Sequence, residues 1–487
     1  MRNQVQLVTY VDRLGGGGFA ELSALLKGPL AGLFGGVHVL PFFTPIDGAD
    51  AGFDPIDHTM VDPRLGTWDD VRALSETADV MADLIVNHVS ARSPQFLDFR
   101  ARGTASPFAG LFLTFDKVYP DGVREEDLLR LNLLRPTLPF LLVTLGTGET
   151  RLLWNTFTPE QIDIDVLDPE GEAYLGRILE TFARSGVTMV RLDAAGFAIK
   201  KAGTGSFMIP ETFDFIAALT ARARRLGIEV LVENHSHYQK QIEVARRVDR
   251  VYDFALPPLV LHALYRADAR PLREWLRVSP RNAITVLDTH DGIGVHDAGA
   301  DAGEGRPGLL PEEAIDALTE EIHRRSRGES RKASGTAASN VDVHGVNCTY
   351  YDALGADDRD YLIARALQLF APGVPQVYYV GLLAGRNDME LLARTGVGRD
   401  INRHYYTRAE IDEALARPVV RQLLRLIRLR NEHPAFAGEF AAPDRPEDGI
   451  CLEWRKDAHR ATLEVALGRR AAMIRATGEG GESEWKL

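Results

Sequence analysis

The chain has 487 residues, 45% of them apolar, with two cysteines and a formal net charge of −13. That apolar content fills a large core and a smaller domain beside it. The negative charge, uninterrupted by a basic cluster with interleaved aromatics, argues against nucleic acid and anionic lipid as partners, and Cys348 and Cys451, far apart and outside any Cys/His spacing, indicate neither a disulfide framework nor a zinc site. The opening "MRNQVQLVTY" lacks the basic start, apolar core and cleavage site of a signal peptide, and no apolar stretch is long enough to span a bilayer, so a cytoplasmic protein with no membrane partner is expected.

In chain order, eight runs rich in Val, Ile, Leu and Tyr read as strands: "VQLVTY", "GVHVLPFF", "VMADLIVNH", "VTMVRLD", "IEVLVENH", "VYDFA", "AITVLDTHD" and "GVPQVYYV". Near-continuous apolar runs suit parallel strands covered on their outer side by helices. Helical patterns such as "WDDVRALSETA" and "ETFDFIAALTARARRLG" lie between them. The alternation predicts an α/β fold, a (β/α)8 TIM barrel with two inserted loop-rich subdomains and a small C-terminal β domain. The "GGGG" at 15–18 lacks the strand, helix and acidic residue of a dinucleotide site and reads as a flexible turn.

Two connections exceed a helical crossover, 89–168 after the third strand and 292–358 after the seventh, and insertions of that length usually carry function. The second contains a predicted helix, "LPEEAIDALTEEIHRR", with Pro311 in its first turn, and then a small-residue loop, "KASGTAASNVDVHG". From about 433 the strand-like runs "ICLEW" and "ATLEVAL" precede a polar Gly/Glu tail. The expected layout is a barrel built from 1–88, 169–291 and 359–432, insertions at 89–168 and 292–358, and a β domain at 433–487.

Barrel enzymes carry their chemistry at the C-terminal ends of the strands. Here those ends are polar: Asn87 and His88 after the third, Arg191 and Asp193 in the fourth, Glu233 after the fifth, His290 and Asp291 after the seventh. Arg191 and Asp193 stand two residues apart and share a strand face. Buried charges are costly unless paired or used, and a guanidinium beside Asp193 would hold that carboxyl ionised. Paired carboxylates suit glycosyl transfer, where an oxocarbenium-like transition state needs an anion beneath the sugar and a proton donor at the leaving oxygen. Glu233, with no cation nearby in sequence, is the candidate for the acid.

"DLIVNH", "VRLDAAGFA", "VLVENH" and "VLDTHD" resemble the four signature segments of glycoside hydrolase family 13, the α-amylase superfamily. "GADAGFDPIDHTMVD", "RLDAAGFAIKKAGTGSFM", "RVYDFALPPLVLHAL", "PGVPQVYYVGLLAGRNDMELL" and "GRDINRHYY" are similar to its sucrose phosphorylase subfamily, from residue 1 to about 430. The resemblance implies that Asp193 is the nucleophile, Glu233 the acid and then base, and Asp291 the transition-state stabiliser. It implies further that Asp50, Phe53, His88, Phe157, Arg191, His290 and Arg399 hold the glucosyl unit, that no cofactor or metal is needed, and that the partners are small sugars and inorganic phosphate.

On the acceptor side the chain departs from the ordinary subfamily pattern. A Tyr-Gln pair after "SN.D." is replaced by His344-Gly345, and an aromatic with an Arg-Pro-Arg-Pro-like run is replaced by "LNLLRPTLPF" around Arg135. Losing Gln removes a neutral partner for sugar hydroxyls, whereas His adds a group that can become cationic beside a phosphate. Arg135, His235, Asp342 and His344 are therefore the candidates for the acceptor and phosphate site. The pattern resembles the subfamily's sucrose 6'-phosphate phosphorylases, with sucrose, glucosylglycerol and glucosylglycerate as alternative donors. Hydrolysis is disfavoured by the retained phosphorylase-type loops. A non-catalytic sugar-binding role on the same fold is disfavoured because all three carboxylates are present.

Overall fold

The computed structural model describes residues 1–48, 50–135, 137–301, 303–334, 345–478 and 481–487. Eight parallel strands close a barrel: β1 (Gln6–Thr9), β2 (Gly36–Val39), β3 (Asp79–Ile85), β4 (Val187–Asp193), β5 (Glu229–Val232), β6 (Arg250–Asp253), β7 (Ala283–Thr285) and β8 (Val374–Tyr378). Each pairs with its sequence neighbours and β8 returns to β1, so each of the eight apolar runs supplies one stave. Helices cover the outside, among them Trp68–Ser75 and Pro210–Arg225 where the periodicity places them. The helix read from "LPEEAIDALTEEIHRR" spans Glu312–Arg325, with Pro311 one position earlier as its N-cap.

Alternation along the staves layers the barrel interior. Met81, Met189, Leu231, Tyr252, Ile284 and Val374 make a separate buried apolar cluster. Two residues further along β3 and β4 come Asp83 and Arg191, which are register partners, and two further along β4 comes Asp193. Each step of two keeps a side chain on the inner face, so an apolar layer, an ionic layer and a rim that carries Asp193 follow one another up the barrel.

The glycine run, read as a turn, has a close backbone approach at its last member, while Gly16 has open space around it. Gly15 pairs in a short strand with Thr407, and Gly18 opens the helix Phe19–Lys27 with its Cα against Leu65, whose carbonyl oxygen a Cβ would meet at 2.2 Å.

Between β3 and β4, strand 88–90 pairs antiparallel with 161–163, and a hairpin, 140–144 with 150–154, lies outside it. After β7, 293–294 pairs with 345–346. Past the helix Pro418–Glu432 the chain forms a five-stranded antiparallel sheet, β9 (Glu439–Ala441), β10 (Gly449–Lys456), β11 (His459–Ala466), β12 (Ala471–Gly478) and β13 (Gly481–Lys486). The polar tail is therefore partly a strand. Leu452, Leu463 and Ile474 face the core, and Trp454 Nε1 donates to Phe370 O at 2.8 Å, tying the sheet to the barrel helix Asp358–Phe370.

Candidate active site

The ionic layer centres on Arg191, which is 2% exposed. Its Nη1 donates to Asp83 and, at 3.0 Å, to Asp193 Oδ1, while its Nη2 donates to Glu233 Oε1. Asp83, itself fully buried, also takes the ring of His38 on β2 at 3.0 Å. This corrects the expectation that Arg191 serves Asp193 while Glu233 stands apart from any cation: one guanidinium holds three carboxyl groups. Ala194 adds to the grip on Glu233. It adopts a left-handed conformation (φ 55°) directly after the nucleophile candidate, and its N–H donates to Glu233 Oε2 at 3.1 Å.

The pKa shifts follow from this crowding. Burial would raise the carboxyl of Asp83, but His38 and then Arg191 hold it at about 2. Burial, and then the charge of Glu233, push Asp193 well above the usual carboxylate range against the pull of Arg191. Like charges this close resist joint ionisation.

Asp291 stands on the opposite side in a different field. Burial opposes its charge, yet the guanidiniums of Arg399 at 2.9 Å and Arg403 at 3.7 Å hold its carboxyl far below the usual range, with the His290 ring 3.2 Å away. Arg399 comes from the 3-10 turn Gly398–Asn402 and also approaches Asp50, at 3.7 Å. That turn is bolted to the end of β7, since Asn402 Nδ2 donates to Thr289 O and Arg403 Nε donates to His290 O, each at 2.9 Å. Burial pushes His88 down and His290 well down, so both rings are neutral hydrogen-bonding groups at neutral pH.

Asp50, His88, Asp193, Glu233, His290, Asp291 and Arg399 line a cavity at the C-terminal ends of the strands. Phe53 stacks on His290 with centroids 4.9 Å apart and planes within 4°. Its carbonyl accepts from His88 Nε2 at 2.9 Å, and Phe157 packs against His88 on the other side. A buried ammonium positions this wall: Lys200 Nζ lies 2.7 Å from Asp163 Oδ2 and 2.6 Å from Asn87 Oδ1, locking strand 161–163 against the end of β3. Two aromatic faces with His and Asp groups between them suit one pyranose ring. Among the described residues no group of three or more His, Cys, Asp or Glu is arranged to hold a metal ion, and no helix is long and apolar enough to cross a membrane.

Of the residues singled out from sequence, Asp50, Phe53, His88, Phe157, Asp193, Glu233, His235, His290, Asp291 and Arg399 come together on the cavity wall. Arg191 lies beneath the floor. Arg135 belongs to the next shell: its Nη2 donates to the carbonyl and side-chain oxygens of Asn155, at 2.5 and 2.7 Å, while its neighbour Leu134 lines the cavity. Asp342 and His344 lie outside the described residues, as does the rest of the 335–344 loop. Gly345 is described, and its pairing with Gly294 is tight, since a Cβ there would meet Ile293 O at 2.8 Å.

Asp83, His38, Arg403 and Asn234 are missing from the sequence reading. Asp83 carried a usable signal, a charge inside an apolar strand run, the same signal that marks Arg191. Arg403 and His38 are recognisable only once distant segments meet. Asn234 lines the cavity with both side-chain polar atoms buried and without a hydrogen-bond partner, a group suited to a ligand.

The chain is 62% identical over 480 residues to a sucrose phosphorylase of Agrobacterium vitis, covering 98% of each chain. It is 53% identical over 464 residues to a sucrose phosphorylase of Bifidobacterium adolescentis, covering 95% of this chain and 92% of that one. Among solved structures, the sucrose 6F-phosphate phosphorylase from Thermoanaerobacter thermosaccharolyticum superposes with a TM-score of 0.91 at 40% identity, covering 100% of this chain and 98% of that one. No family model matches the chain. With a strand-end carboxylate site in the same barrel and relatives matching along nearly its whole length, this chain belongs to the sucrose phosphorylase subfamily of glycoside hydrolase family 13 and is a retaining glycoside phosphorylase.

Proposed function

We propose that the donor is sucrose, cleaved by phosphate to α-D-glucose 1-phosphate and fructose through a β-glucosyl ester on Asp193. The observation that carries the chemistry is the shared hold of Arg191 on Asp193 and Glu233. Proton transfer from Glu233 to the glycosidic oxygen expels fructose as Asp193 attacks the anomeric carbon. Phosphate then attacks the ester and gives its proton back to Glu233, so two inversions retain the α configuration. Asp291, kept anionic by Arg399, lies ready for the positive charge that develops on the ring. Asp50, His88, His290 and Arg399 hold the glucosyl hydroxyls, and Phe53 and Phe157 border the ring.

Sucrose is favoured over its 6'-phosphate by the two relatives named sucrose phosphorylase and by the engagement of Arg135 with Asn155. A second reading, with sucrose 6'-phosphate as donor and fructose 6-phosphate as leaving group, is favoured by His344 in place of Tyr and by Arg135 beside a cavity residue. On either reading His235 lines the acceptor side of the cavity, and Arg135, Asp342 and His344 are the sequence candidates for contacts to the acceptor or phosphate. Incubation with phosphate and each of sucrose, sucrose 6'-phosphate, glucosylglycerol and glucosylglycerate, following α-glucose 1-phosphate, ranks the donors. Faster release from sucrose 6'-phosphate, with a loss in His344→Ala confined to that donor, would overturn the first reading in favour of the second.

A further inference from the structure

His235 follows the acid/base candidate on the same turn, and its ring is held by a stack and a hydrogen bond with Nε2 turned toward Glu233. It stacks on Phe254 with centroids 3.9 Å apart and planes within 12°. Its Nδ1 lies 3.3 Å from Asp297 Oδ2, and its Nε2 lies 3.8 Å from Glu233 Oε1. Asp297 comes from a distant segment, the 3-10 turn His296–Ala298 of the insertion after β7, and is 3% exposed. Its second oxygen is held as well. Gln241 Nε2 donates to Asp297 Oδ1 at 3.3 Å and to Ser236 O at 2.8 Å, so both ends of the contact are anchored. Gly294 leaves the space for it: a Cβ there would lie 3.1 Å from Asp297 Oδ2 and 3.9 Å from His235 Cε1.

We propose that Asp297 is a positioning residue for the phosphorylase reaction, fixing the plane and tautomer of His235 so that Nε2 faces Glu233 and the group that enters or leaves beside it. A carboxylate only accepts hydrogen bonds, so Nδ1 carries a proton toward Asp297 and the variable site is Nε2. That arrangement suits a glutamate working in two states. Closing from 3.8 Å to hydrogen-bond distance, unprotonated Nε2 accepts from the carboxylic acid of the first half-reaction, and protonated Nε2 donates to the carboxylate of the second. The other tautomer would set a lone pair against Asp297 and a permanent N–H against Glu233. Asp291 also borders the small cavity beside His235, and it is paired with its own arginines. The inference rests on the glycoside phosphorylase reading but not on the choice of donor.

The test uses the full chain with α-glucosyl fluoride as donor and inorganic phosphate as acceptor, which removes the identity of the natural leaving group. Asp297→Asn presents an N–H where Nδ1–H should donate and favours the wrong tautomer. It should lower kcat/KM for phosphate roughly tenfold to a hundredfold while leaving the melting temperature within about 2 °C. Added to His235→Phe, which keeps the stacking on Phe254, the same substitution should cost nothing further. Imidazole nitrogen shifts of His235 should report an Nδ1–H in the unmodified chain and lose it in Asp297→Asn. Losses that multiply in the double variant, or an Nδ1 without a proton in the unmodified chain, overturn the proposal. Failure of the unmodified chain to form α-glucose 1-phosphate would instead strike the phosphorylase reading, and the nitrogen shifts would still decide the tautomer.

Discussion

Two regions of this chain set arginines against carboxylates in opposite surroundings. On the outer face of the C-terminal sheet Arg445 and Arg475 share Glu464, at 3.0 and 2.7 Å, and Arg475 also reaches Glu484 at 2.8 Å, all with side chains 36–47% exposed. Beneath the pocket Arg191 faces Asp83, Asp193 and Glu233 with at most 14% exposure of any partner. Distances are similar in the two places; the difference is water. On the sheet, solvent screens each charge and takes over any lost partner. Below the pocket no solvent takes the place of a lost partner, and the remaining buried charges must rebalance among themselves; that dependence makes the lower cluster usable for chemistry.

The comparison sharpens into measurable differences. The largest effect belongs to the nucleophile: Asp193→Asn should lower phosphorolysis by roughly four decades or more, read as release of α-glucose 1-phosphate. Residual turnover within tenfold of the unmodified chain would assign the nucleophile elsewhere. Next comes Asp83→Ala, which leaves Arg191 and His38 buried without their shared anion. Its cost in unfolding free energy should be about 3–5 kcal/mol by denaturant titration at neutral pH, and activity should fall with it. A loss near that of a surface pair would erase the distinction drawn here.

A third test contrasts two buried carboxyls. Asp83 has the Arg191 guanidinium and the His38 ring beside it and sits at about 2, below its unfolded value of about 4, so its contribution is full above pH 4 and is lost as pH falls through 2. Asp253, at the end of β6, instead accepts from Trp275 Nε1 and the N–H of Leu256, and burial pushes it up to about 7. There the folded state holds a proton that the unfolded chain releases above about pH 4, so stability falls as pH climbs from 4 to 7. Asp253→Asn should flatten that slope, read from unfolding midpoints at pH 5 and pH 8. An unchanged slope would place the titration on another group. The smallest effect is expected on the sheet: Arg475→Ala should cost less than about 1 kcal/mol and leave phosphorolysis unchanged, and a larger loss would show that the outer face is not solvent-dominated.

Much of the architecture was legible because it rests on local regularities. Eight apolar runs, the helices between them and the strand-end positions of Asp193, Glu233 and Asp291 follow from periodicity and from the rule that parallel staves present their C-terminal ends together. What stayed hidden is pairwise and non-local. That Arg191 would bond Glu233 as well as Asp193 depends on the stagger of β4 against β5, and that Asp83 would sit beside Arg191 depends on the β3–β4 register. Strand composition constrains which side chains face inward but not which of them fall level across the barrel. The same limit applied to Arg135, whose charge was visible while its capture by Asn155 was not, and to the glycine run, whose composition allows a loose turn but whose last member, Gly18, lies close against Leu65. Residue chemistry and periodicity determined the barrel and its catalytic rim. Tertiary packing alone decided which charges share a partner, because energies of buried ions turn on distances that only the closed barrel sets.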